Sequence, residues 1–136
     1  MNIERHPALP ILGRALLSAL FLISGLSKLA APAATKAYIV SAGLPLPDLA
    51  YLVAVAVEVG LGALLLVGYR TRLVAGLMAL FTLATAFAFH AHLGDANQQV
   101  HFLKNFAITG GLLEITAWGA GAWSLDALRS RRSAIA

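Results

Sequence analysis

The stretch "YLVAVAVEVGLGALLLVGYRTRLVAGLMALFTLATAFAFHAH", Tyr51 to His92, decides the fold. It holds two apolar runs, each close to the roughly 20 residues with which a helix crosses a bilayer core of about 30 Å. A short turn carrying Arg70 and Arg72 joins them, and one carboxylate, Glu58, interrupts the first. Read outward from here, two further windows have the same length. The four predicted spans are Pro10–Ala30, Leu49–Tyr69, Leu73–His92 and His101–Trp123. The fold class that follows is all-α, an integral membrane four-helix bundle in one domain over residues 1–136.

Composition agrees. Of 136 residues, 60% are hydrophobic and 12% charged, half the charged share of about 25% usual in soluble domains, and the mean hydropathy is +0.81. The net charge of +4 is spread between apolar spans rather than gathered on one face, which argues against nucleic acid as a partner. The absence of cysteine excludes disulfide exchange, persulfide carriage and thiolate metal sites on this chain. Any redox chemistry needs a cofactor or a partner subunit.

The first span follows Arg5 and ends near "APA" at Ala31–Ala33, a pattern shared with secretory signals. It is too long for a signal core and contains Arg14, so it reads as a retained span. Between spans 1 and 2, Pro32 suits a first helical residue, Gly43 a stop, and Asp48 a cap for the next helix. A short interfacial helix anchored by Tyr38 is expected there. Four spans put both termini on one side with Arg5, Arg14, Arg70, Arg72, Arg129, Arg131 and Arg132, against Lys28, Lys36 and Lys104 on the other. The positive-inside rule then makes the termini cytoplasmic.

Depth sorts the polar residues. Lys28, Lys104 and Asn105 lie shallow at the opposite, outer end, together with His90, His92, Gln98 and His101. Glu58 sits roughly 13–15 Å down its helix at 1.5 Å per residue. An isolated carboxylate there is costly, so Lys28 or Lys104 is expected to reach it along a flexible stem. On helix 1, Arg14, Ser18, Phe21, Gly25 and Lys28 share one stripe. By depth, Arg14 is expected to pair with Glu114 as a structural ion pair. Gly60, Gly62, Gly110 and Gly111 mark expected close contacts between helices.

The outer cluster of Lys28, Glu58, His90, Lys104 and Asn105, with Ser24, His92 and Gln98 secondary, is the candidate ligand-binding or proton-handling site. No metal is expected: residues two apart on a helix, as in "HAH" at His90–His92, point about 200° apart, and no tight ligand spacing is present. A quinone or similar headgroup suits imidazole, amide and ammonium donors better, since its carbonyls accept hydrogen bonds and its tail lies in lipid.

"FLISGLSKLAAP" in helix 1, Glu58 before "GLGALLLVGYRTR", "FAFHAH", and "NQQVHFLKNFAITGGLL" together resemble the DoxX family of small bacterial inner-membrane proteins, from Gly13 to about Trp118, with "FLKN…GGLL" the most specific part. The resemblance implies a four-helix membrane protein. It further implies association with membrane oxidoreductase complexes, and polar positions corresponding to Lys28, Glu58, His90, Lys104 and Asn105. The leading expectation is a subunit of an oxidoreductase system that binds a quinone-like or other small redox molecule. The alternative is a non-enzymatic scaffold or assembly factor in which buried ion pairs set helix registry. A small transporter is less favoured, because one four-helix unit lacks visible inverted repeats, although a homo-oligomer would enlarge the unit.

Overall fold

A computed structural model describes residues 6–135; Arg5 of the expected charge pattern lies outside them. The described residues form α1 (Ala8–Ala30), α2 (Pro32–Ser41), α3 (Pro47–Val67), α4 (Thr71–His90), α5 (Ala96–Trp118) and α6 (Leu125–Ser133), with no strand among them. α1, α3 and α4 are long and apolar enough to cross a membrane. α5 is as long as α1, at 23 residues, but its first half is polar.

Local chemistry explains the breaks. Ala31 leaves the helical region, at φ −137°, because the ring of Pro32 disfavours helical backbone in the residue before it. Pro32 then opens α2, the short helix expected between spans 1 and 2. α3 ends at Gly68, φ +71°, where Gly68 N–H bonds the Leu65 carbonyl and Tyr69 N–H the Leu64 carbonyl, a Schellman closure. A Cβ at Gly68 would collide with Arg14 Nη1 and Ser124 Cβ, so the turn needs glycine on both conformational and steric grounds.

α5 begins five residues before the expected His101. Asp95 caps it by accepting from the N–H groups of Asn97 at 2.8 Å and Gln98 at 3.2 Å. The polar run after Asp95 hid this start from a reading that sought apolar windows. The helix also stops at Trp118 rather than Trp123, because Gly119 and Gly121 take positive φ and free the chain to turn into α6. α4 likewise starts at Thr71 and ends at His90, two residues before each expected bound.

α1 packs on α3, α3 on α4, α4 along most of α5, and α5 returns to α1. The core is Phe21, Leu65, Val74, Ala75, Met78, Ala79 and Leu112. α1 decides what surrounds it. Its buried residues are Arg14, Ser18, Phe21 and Gly25, the expected stripe, while Leu9, Leu12, Leu16, Leu20, Ile23 and Leu26 are exposed. A helix with polar groups inward and leucines outward inverts the soluble pattern and faces an apolar medium.

The expected close contacts hold at Gly62, beside Leu22, and at Gly111, beside Leu17, whereas Gly60 and Gly110 meet nothing within 4 Å. The tightest approach is at Gly25, where a Cβ would stand 2.6 Å from Val59 Cγ2 and 2.9 Å from Glu58 Cβ. No side chain larger than hydrogen fits between α1 and this part of α3.

Candidate functional site

Glu58 is presented by an irregularity. Residues Ala56–Leu61 in the middle of α3 form a π turn, which adds a residue to the helical turn and re-aims the side chains it carries. Such turns recur at functional sites. Glu58 is only 7% exposed, and its Oε2 accepts from Lys28 Nζ at 2.9 Å. Lys28 Nζ also donates to Ser24 Oγ at 2.8 Å. Because an ammonium has three N–H groups, these two bonds leave one for another acceptor. Tyr51 Oη bonds the Lys28 carbonyl at 3.3 Å and ties α3 to the end of α1.

The pair lies on the wall of a cavity of about 460 Å³ bordered by α1 to α5. Its polar wall includes Ser24, Lys28, Glu58, His90 and Asn105, with the hydroxyl residues Thr35, Thr82 and Thr85; the rest is mainly apolar and aromatic, including Phe21, Tyr38 and Phe89. His90 Nδ1 lies 2.7 Å from Gln98 Oε1. With that contact as an N–H donor, Nε2 is the remaining acceptor of a neutral ring. The His90 ring stacks on His101, centroids 5.1 Å apart. α2 covers the cavity: Tyr38 stacks on Phe89 at 5.3 Å, Ile39 is buried, and Lys36 pairs with Asp48 at 2.6 Å. That hydrogen bond raises the Lys36 ammonium above the usual lysine value.

The structure therefore gathers Ser24, Lys28, Glu58, His90 and Asn105, with Gln98 holding His90 from behind. Two expected members stand apart. Lys104 is exposed and outside the cavity wall; it neighbours Asn105 in sequence, but adjacent helical residues diverge by about 100°. Glu58 takes Lys28 instead. His92 lies beyond the end of α4, exposed, so the geometry that assumed a helix through "HAH" does not apply. Among the described residues, no three His, Cys, Asp or Glu side chains assemble as a metal site would require.

The expected Arg14–Glu114 pair does not form. Arg14, 1% exposed, donates from Nη2 to the Trp123 carbonyl at 2.8 Å, while Glu114 is exposed and accepts from Trp118 Nε1 at 3.0 Å. Depth alone does not fix azimuth: Glu114 is exposed and meets Trp118 of its own helix instead. The residue that organises this end is Asp126. Its carboxylate accepts from Arg70 N–H at 2.7 Å and Thr71 N–H at 2.8 Å, capping α4 from another helix, and its own N–H bonds the Gly68 carbonyl at 2.9 Å. Burial pushes this carboxyl up; the two N–H donors, helped by Arg129, outweigh that and hold it below its ordinary range. In sequence only Ser124 and Asp126 before "ALRSRR" hinted at a helix start here.

The family model that matches the chain, over residues 9–91, is DoxX. The chain belongs to the DoxX family. The match spans α1 to α4, so "FLKN…GGLL" lies beyond it. Two Escherichia coli (strain K12) proteins extend the likeness. Inner membrane protein YqjF is 34% identical over 125 residues, 90% of this chain and 92% of the relative. Inner membrane protein YphA is 36% identical over 126 residues, covering 89% of this chain and 90% of the relative. No solved structure matches. With three helices of spanning length and composition, this DoxX-family chain is an integral protein of the bacterial inner membrane.

Proposed function

We propose that the cavity behind α2 binds a small lipid-soluble molecule with a hydrogen-bonding head, quinone-like or another small redox molecule, and that the protein serves a membrane oxidoreductase system as a subunit. The observation that carries this reading is the Lys28–Glu58 pair, set on a π turn at the wall of a mainly apolar cavity of about 460 Å³. That volume is within the range of roughly 300–1,000 Å³ of small-molecule sites. The third N–H of Lys28 and the Asn105 amide can donate to a carbonyl, and His90 Nε2 can accept from a hydroxyl. Glu58, held by Lys28, can take or return a proton as the head changes state. In this arrangement α5 is a fourth span, α2 lies at the outer interface, and the arginine-rich end with both termini is cytoplasmic.

The test is native mass spectrometry of the delipidated protein titrated with a short-chain quinone. Wild type should form a 1:1 adduct, and Glu58→Gln should weaken it by about 10-fold or more, the equivalent of roughly 1.4 kcal/mol. Unchanged binding in a folded Glu58→Gln protein contradicts the reading. The scaffold alternative draws support from the pair itself, since Lys28 and Glu58 satisfy one another without a ligand. It expects no adduct and a stability loss only.

A further inference from the structure

The other end of the molecule is rich in arginine. Arg70, Arg72, Arg129, Arg131 and Arg132 cluster there, and among the described residues the side-chain ion pairs are Lys28–Glu58 and Lys36–Asp48, neither at this end. Asp126 offsets part of this charge, chiefly that of Arg129, while both its oxygens accept from the N–H groups of Arg70 and Thr71, so five arginines face one carboxylate that makes no side-chain ion pair with them. The guanidinia of Arg70 and Arg129 nonetheless converge on one ring, 6.0 Å and 5.2 Å from the Tyr69 centroid. The excess of guanidinium groups gives this end a positive potential that attracts anions. Behind them, buried Arg14 has Nε and Nη1 without a hydrogen-bond partner, which adds positive potential on the inner side.

An open groove of about 640 Å³ runs between the start of α4 and the Gly119–Gly121 turn. Arg70, Arg72, Trp118 and Ser130 are on its walls, and so is the Asp126 carboxylate, whose oxygens are turned to the N–H groups of Arg70 and Thr71. Trp118 and Trp123 are both exposed, and exposed tryptophans at the end of apolar helices mark the headgroup level of a bilayer. At headgroup level the most abundant anions are lipid phosphates. We propose that the groove is a binding site for the phosphate of an anionic glycerophospholipid, with Arg70 and Arg72 as its guanidinium ligands and Trp118 against the glycerol and upper acyl chain. Guanidinium is suited to this because its planar N–H fork meets phosphate oxygens in pairs. The site is independent of the cavity behind α2.

The test uses the full chain in nanodiscs with Trp123→Phe, which leaves Trp118 as the reporter. Phosphatidylglycerol brominated on its upper acyl chain should quench Trp118 at a much lower mole fraction than the matching phosphatidylcholine. Each arginine near an anionic surface is worth about 5-fold in affinity, so Arg70→Gln with Arg72→Gln should weaken the preference by roughly 25-fold, with helicity unchanged because Asp126 bonds backbone N–H groups. Arg131→Gln with Arg132→Gln should leave most of it, and inorganic phosphate should not displace the lipid. Equal quenching by the two lipids overturns the proposal. So does a preference that survives loss of Arg70 and Arg72 and disappears with Arg131 and Arg132, which would assign it to the tail; displacement by inorganic phosphate would assign a free-anion site instead.

Discussion

Removing the two halves of the Lys28–Glu58 pair, separately and together, should give unequal losses. At 2.9 Å and an effective dielectric near 20, the gross attraction is about 6 kcal/mol, but taking both ions out of water costs several kcal/mol each in return. Lys28 keeps 27% of its side chain exposed, which screens the pair further. Glu58→Leu leaves an ammonium without its counter-ion and should cost about 2 kcal/mol; Lys28→Met leaves the carboxylate uncompensated and should cost a similar ~2 kcal/mol. The double variant, Lys28→Met with Glu58→Leu, leaves neither charge and should lie within about 1 kcal/mol of wild type. The coupling is then about 3 kcal/mol. Reversible unfolding in mixed detergent micelles, followed by circular dichroism, measures all four proteins. A double variant that loses the full ~4 kcal/mol expected of independent sites would refute the inference that the charges answer one another in the membrane.

Asp126→Ala should cost about 1–2 kcal/mol, because two N–H groups at the start of α4 lose their acceptor. The Asp126 carboxyl is held low in the folded protein, so its contribution is complete above the ordinary carboxylate range and disappears as pH falls through the lowered folded value; unfolding followed from neutral into strongly acid pH should show a shallower acid loss in Asp126→Ala. Gly68→Ala should destabilise by more than about 2 kcal/mol, since it combines a positive φ with a clash against Arg14; a loss under 0.5 kcal/mol would show that the turn and Arg14 yield readily. Because the chain lacks cysteine, Gln98→Cys gives a single reporter of topology. It should react with an impermeant maleimide from the periplasmic side in intact cells, and labelling only after the inner membrane is opened would reverse the orientation.

The elements that sequence rendered legible are those fixed by local chemistry. The spans of α1, α3 and α4 follow from apolar length, the break at Ala31–Pro32 from proline sterics, and the stripe Arg14–Ser18–Phe21–Gly25 from helical periodicity. Glu58 was recognisable as calling for a cation because an uncompensated charge at that depth is costly, and Lys28 was one of two candidates within reach. Long-range azimuth was not legible. Whether Glu114 or the Trp123 carbonyl meets Arg14, and whether Lys104 or only Asn105 turns inward, depends on how α5 is rotated against α1. The π turn at Ala56–Leu61 has no signature in "AVEVGL", although the pressure of Gly25 against Val59 and Glu58 is consistent with a local widening of α3. Asp126 as the cap of α4 could not be read because donor and acceptor are 55 residues apart.

The measurement that bears most directly on the cavity is photolabelling. A short quinone analogue with a photoreactive group, added to the protein in liposomes and located by peptide mass spectrometry, should label the cavity wall around Tyr38, Phe89 and Asn105. The label should be competed by unmodified quinone and lost in the folded Lys28→Met/Glu58→Leu protein. Label confined to the outward leucines of α1, or cavity label that persists in the double variant, would contradict the account.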